Sequence, residues 1–189
     1  MLRTVFALVV ALGLLAPHAH SKQVSGISLD DVFVVDGHAL MLNGAGVRTK
    51  FFLDLYIASL YLPALEDDAD DIVAADTPMA IRLHIISGMI TGQRMAESTR
   101  DGFVRSTGGD LAPIEAEVDQ LIQAFSQDVK EGDVFDLVYL PQQGVTVYHN
   151  GEAKSQVAGL GFKQALFGIW LSDDPVQEDL REQLLVHAD

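Results

Sequence analysis

The chain has 189 residues, with 12 Lys and Arg against 27 Asp and Glu, six His and no Cys. A formal charge of −15 argues against a nucleic-acid partner, because phosphate backbones are held by clustered Lys and Arg. The missing Cys excludes disulfides, thiolate metal sites and cysteine nucleophiles, and 49% hydrophobic with 21% charged residues is the composition of one folded domain.

The chain opens as an address. Met1-Leu2-Arg3 is a short basic start, Val5–Leu15 is apolar, and Ala16-Pro17 breaks the run ahead of small residues at Ala19 and Ser21. This is the three-part pattern of a secretory signal peptide over residues 1–21. The run falls short of the roughly 20 apolar residues that span a bilayer, and no later segment reaches that length. The expectation is cleavage after about Ser21 and export to the periplasm, leaving a single domain, 22–189, without a membrane span.

Val32–Leu42 reads as two short strands around the turn signal Asp36-Gly37, and Asn43-Gly44-Ala45-Gly46 as a turn. Val47–Leu62 follows as one long strand, rich in β-branched and aromatic residues. It is apolar on both faces, so it should be covered on both sides. Glu66–Asp71 reads as a solvated acidic loop, and Met79–Ile86 as a strand. Two helices follow at 3.6-residue spacing, Thr91–Ser106 and Ile114–Val129, the second with Pro113 near its start. Phe135–Leu140, Gly144–His149 and Glu152–Val157 form a strand meander, its last turn marked by Asn150-Gly151. Leu160–Leu171 is an apolar helix and Val176–Val186 a charged amphipathic one. Strands and helices in blocks, with hairpin turns late in the chain, predict an α+β fold with a mainly antiparallel sheet.

Catalytic templates are missing. There is no nucleophile elbow, phosphate loop, zinc-protease motif or dinucleotide turn, and no His pair at metal-ligand spacing. The glycines at 44 and 46 lead into a strand, without the helix N-terminus that holds phosphate. The acidic cluster lacks the Gly and Glu of a calcium loop. No metal, no cofactor and no catalytic residue is therefore assigned. Arg48 stands out: a guanidinium beside an apolar wall is costly unless paired, and no acid lies nearer in sequence than Asp54. It is either a surface arginine or the end of an apolar pocket awaiting an anion.

The segment NGAGVR (43–48) with FLDLYIASLYL (52–62), and FGIWL (167–171) with PVQEDL (175–180), resemble in order and spacing the chalcone isomerase-like family, over about residues 30–186. The resemblance implies an open-faced β-sandwich, a large sheet with a layer of helices and a ligand cleft between them. Plant chalcone isomerases carry an Arg matched by Arg48, which stabilises a phenolate. Their strand Thr is replaced here by Tyr56, their helix Tyr and Asn fall near Thr91 and Ser98, and their late hydroxyl falls near Ile169. Only the Arg is kept, and groups that act as a unit lose most of their effect when broken up. Related plastid fatty-acid-binding proteins hold a carboxylate with an Arg and a Tyr over an apolar cleft. Arg48 with Tyr56 or Tyr61 fits that pattern, and Thr91 and Ser98 complete the expected ligand contacts. The resemblance thus implies a non-catalytic protein that binds a fatty acid or similar amphipathic anion. The alternatives are an isomerase or intramolecular lyase, and an envelope interaction protein with a vestigial pocket.

Overall fold

A computed structural model describes residues 22–125 and 129–185; residues 1–21, expected from the sequence to be a signal peptide, lie outside them. Two hairpin strands, β1 (Lys22–Val24) and β2 (Ile27–Leu29), precede a seven-stranded antiparallel sheet. Its strands, β3 (Val32–Val35), β4 (His38–Lys50), β5 (Leu53–Leu62), β6 (Met79–Ile85), β7 (Val134–Leu140), β8 (Gly144–His149) and β9 (Glu152–Val157), are neighbours in chain order. Among the described residues five α-helices accompany the sheet: α1 (Ala69–Ala74), α2 (Gly92–Ser106), α3 (Glu115–Phe125), α4 (Leu160–Leu171) and α5 (Glu178–Leu185). The fold is the expected α+β type.

The pleat sends alternate residues to opposite faces, and both faces of this sheet are covered. Ala58, Leu60 and Leu62 of β5, Ile81 and Leu83 of β6 and Leu137 of β7 join Phe103, Phe125, Phe167 and Trp170 from the helices in the larger core. The residues between them, Ile57, Tyr61, Ala80 and Val138, join Leu29, Leu40 and Phe33 in a second core on the β1–β2 side. The apolar-both-sides reading of the long strand is explained by these two layers.

Its boundaries are not. β4 and β5 are two strands joined at Phe51-Phe52, where φ is 50° and 64°. Residues 43–46 are no turn; they are buried in mid-β4. Glycine within a strand often marks a close backbone approach, and a Cβ at Gly44 would stand 2.4 Å from the backbone oxygens of Gln183 and Leu184 on α5. Asn43 fixes the same junction. Its Nδ2 donates to the Glu66 and Leu184 carbonyls at 2.9 Å, and its Oδ1 accepts from Glu66 N–H at 2.8 Å.

The acidic segment is also more ordered than expected. Asp68 caps α1 by accepting from the N–H groups of Asp70 and Asp71, and acids in a first turn suit the helix dipole. The other end of α1 is met by the buried Lys163, which donates to the carbonyls of Ile72, Val73 and Ala75 at 2.7–2.9 Å. Burial pushes its pKa down to about 8. Pro113 sits in a 3₁₀ turn, Ala112–Ile114, ahead of α3. α3 and α5 both start later than predicted; Val129, the predicted end of the first, lies outside any helix, and Val186, the predicted end of the second, falls outside the described residues.

Candidate functional site

The cleft lies between the sheet and the α2–α4 pair. Its volume is about 800 Å³, inside the roughly 300–1,000 Å³ range of small-molecule sites. The floor comes from β5, β6 and β7 through Tyr56, Leu83 and Leu137, and the roof from α2 and α4 through Met95, Leu166, Ile169 and Trp170. The helices approach closely because residue 102 is Gly: a Cβ there would meet Ile169 Cγ2 at 2.8 Å.

Arg48 and Tyr56 are cross-strand partners on β4 and β5, and both line the cleft. Arg48 Nη1 donates to the Thr49 carbonyl at 2.7 Å and to Gln177 Oε1 at 3.1 Å. Gln177 is itself fixed, accepting from Thr49 N–H at 2.9 Å and donating to the Val47 carbonyl at 3.3 Å. No carboxylate forms an ion pair with Arg48 among the described residues. The guanidinium is thus oriented by neutral groups that leave its charge uncompensated.

Trp170 Nε1 donates to the Tyr56 hydroxyl at 3.1 Å. Because the indole can only donate, the phenol's own hydrogen stays available. Burial raises the Tyr56 pKa above its ordinary value, against the opposing pull of Trp170 and the Arg48 charge. At neutral pH Tyr56 is therefore a neutral donor beside a cation, which is an arrangement for an oxyanion.

The other expected site residues divide. Ser98 lines the cleft on α2. Thr91 does not: its hydroxyl caps α2, accepting from Arg94 N–H at 3.3 Å. Tyr61 does not either. Five positions from Tyr56 on a strand of period two, it faces the opposite side, where it is fully buried and donates to the Asp30 carbonyl at 3.0 Å. Trp170 and Gln177 are the functional candidates that sequence reasoning passed over, although both stand inside the two C-terminal motifs. Ile169, near which the resemblance puts the late hydroxyl of the isomerases, places an apolar side chain on the wall. Among the described residues no group of three or more His, Cys, Asp or Glu could hold a metal, and no helix is long and apolar enough to cross a membrane.

A sheet backed by helices, with an apolar cleft between the layers and an arginine at its edge, defines an α+β cleft protein. The family follows from the sequence match. Residues 21–186 fit the family described as chalcone isomerase-like, and the chain belongs to it. It is similar to fatty-acid-binding protein 1 of Arabidopsis thaliana, 25% identical over 185 residues that cover 80% of this chain and 65% of that protein. The chain thus spans about two-thirds of that relative's length. A crystal structure of an Arabidopsis thaliana fatty-acid binding protein superposes with a TM-score of 0.69 at 18% identity, over 88% of this chain and 96% of that one. That likeness establishes the shared fold.

Proposed function

We propose that this protein binds a fatty acid or a similar single-chain amphipathic anion without transforming it. The head group sits at Arg48 and Tyr56, and the tail runs along the wall formed by Leu83, Met95, Leu166 and Ile169. The observation that carries the reading is the uncompensated Arg48 guanidinium facing the Tyr56–Trp170 pair at the edge of an apolar cavity. The similarity to a fatty-acid-binding protein supports the same ligand class. A charge-assisted hydrogen bond contributes about 1.5–3 kcal/mol, whereas each buried methylene contributes about 0.8 kcal/mol. The tail therefore supplies most of the affinity and Arg48 the preference for an acid. Ser98 belongs to the wall and can touch the ligand; Thr91 and Tyr61 have no part in it.

The N-terminal pattern supports export, with the domain acting in the periplasm after cleavage near Ser21. Sequencing the N-terminus of exported material checks this: it should begin at or near Lys22, and membrane-bound protein that keeps Met1 contradicts it.

Native mass spectrometry of the purified protein tests the ligand. The expected spectrum holds a protein–acid complex whose released ligand is a long-chain acid. Protein that is empty as purified and takes up no added fatty acid overturns the reading.

A further inference from the structure

The β4–β5 hairpin breaks a local rule without compensation inside the molecule. Lys50 pairs with Leu53, so Phe51 and Phe52 alone make the loop, with φ of 50° and 64°. Positive φ at both loop positions is the signature of the type I′ turn, which selects Asn-Gly or Asp-Gly and strains bulky residues. Here it carries two phenylalanines that are 82% and 102% exposed. Phe103, Phe125, Phe135, Phe162 and Phe167 are all buried. A strained, solvated aromatic pair that gains no burial in its own fold points to a contact outside it.

The surroundings indicate what that contact is. The tip adjoins the cleft, whose edge includes Lys50, Phe51 and Leu53, and exposed Met89 and Val104 extend the apolar rim. The hairpin brings Arg48 and Lys50, with the Lys50 ammonium 5.9 Å from the Phe51 ring centroid. The nearest acid on it, Asp54, accepts from the Thr49 hydroxyl at 2.9 Å. Across the mouth, Arg94 stands with Glu97 and Asp101. Charges beyond about 8 Å are screened at physiological salt, so the overall −15 does not set the field at the tip. Two aromatic side chains bury about 150–250 Å² each, well below the roughly 800 Å² per partner of a stable protein interface. They are enough for insertion into a lipid interface, where aromatic rings sit at headgroup level and each nearby Lys or Arg adds attraction to anionic lipid.

We propose that the β4–β5 tip docks on a lipid bilayer bearing anionic headgroups, with the Phe51 and Phe52 rings in the interface and Lys50 at the phosphates. Docking sets the cleft mouth against the membrane. That a single-chain acid then passes between bilayer and cleft rests on the function proposed above; the docking itself does not.

Phe52 is the position to vary, since it stands outside the cleft wall. Phe52→Trp is mixed with phosphatidylcholine vesicles, with and without phosphatidylglycerol, and compared with the wild type, whose only indole is Trp170. The added indole should shift to the blue and be quenched by brominated acyl chains, more strongly when phosphatidylglycerol is present. Phe52→Gly, which suits the turn, should melt no lower than the wild type and bind a fluorescent fatty acid in solution as the wild type does. It should partition onto the vesicles about 10-fold or more weakly, the factor for losing one phenyl from the interface. An indole at position 52 that stays unquenched overturns the proposal. So does a Phe52→Gly chain that partitions like the wild type, or a dimer abolished by Phe52→Gly in a protein that ignores vesicles. Failure of the fatty-acid titration in the wild type, with vesicle docking intact, would strike the ligand reading alone.

Discussion

The sheet carries an arginine and a tyrosine on each side, and the two sets are finished differently. On the β1–β2 side, Arg82 Nε donates to Asp136 Oδ1 at 2.6 Å and Nη2 to Oδ2 at 3.3 Å, with Asp30 at 3.6 Å. Its guanidinium lies 4.3 Å from the Phe33 ring centroid, and Phe33 packs on Tyr61 at 5.5 Å. The charge is paired, two of the guanidinium nitrogens donate to one carboxylate, and the stacking surface is supplied within the chain. On the helix side, Arg48 is held by a carbonyl and a glutamine amide and meets no carboxylate among the described residues, while Tyr56 accepts from Trp170 and keeps its hydrogen. A closed set holds the fold together; an open set of the same residue types is suited to an anion from outside.

The largest effect should come from opening the closed set. Asp136→Ala leaves Arg82 half-buried without its main partner, and such breaks cost about 3–5 kcal/mol. Denaturant unfolding should show a loss of that size, with binding of a fluorescent acid per folded molecule unchanged. A loss below about 1 kcal/mol would mean that the pair is no more than a surface bridge.

Tyr61→Phe comes next. It removes the bond to the Asp30 carbonyl, worth about 1 kcal/mol, and it alters the alkaline limb. Burial pushes the Tyr61 pKa up to about 12, with Asp30, Asp136 and Asp31 adding to it and Arg82 opposing. Tyr139 is likewise pushed up to about 12 by burial and by its hydrogen bond to Asp76. Between about pH 10 and 12 the folded chain keeps protons that the unfolded chain has lost, so stability falls as pH rises through that window. Thermal melts across it should give a shallower fall for Tyr61→Phe than for the wild type. Equal slopes would place no share of the effect at Tyr61.

Tyr56→Phe should be the smallest of the three. Its loss for a long-chain acid should be a few-fold: the phenol–carboxylate bond is charge-assisted, but Arg48 keeps hold of the head group when the Tyr56 hydroxyl is gone. The corresponding alcohol should bind with its affinity less affected. A loss equal for acid and alcohol would make Tyr56 a wall residue only.

Much of this architecture was legible in the residues. The meander from β7 to β9 follows from alternation and the Asn150-Gly151 turn, and the order of α2 to α5 from 3.6-residue spacing. Arg48 was conspicuous because an isolated cation beside apolar strands calls for a partner. What escaped has physical causes. Aromatic residues favour strands, so Phe51-Phe52 reads as strand interior although the chain reverses there. Gly44 and Gly46 read as a turn because their reason, the approach of Gln183 and Leu184 on α5, lies at the far end of the described chain, like the bond from Asn43 to Leu184. The Ser25-Gly26 turn joins strands of only three residues, too short for alternation to show. Trp170 lies on α4, a helix buried nearly all round, where no polar face singles out one side chain. Tyr61 is the instructive error: counting by two from Tyr56 already puts it on the other face.

The central claim is that Arg48 is open for an external anion while Arg82 is closed, and a paired titration tests it most directly. A long-chain fatty acid and the alcohol of equal length are titrated against wild type and Arg48→Ala. The account predicts a loss of about 10- to 100-fold for the acid, the factor for one charge-assisted bond, with the alcohol barely changed and the unfolding midpoint close to that of the wild type. Arg48→Ala that binds the acid as tightly as the wild type would contradict it.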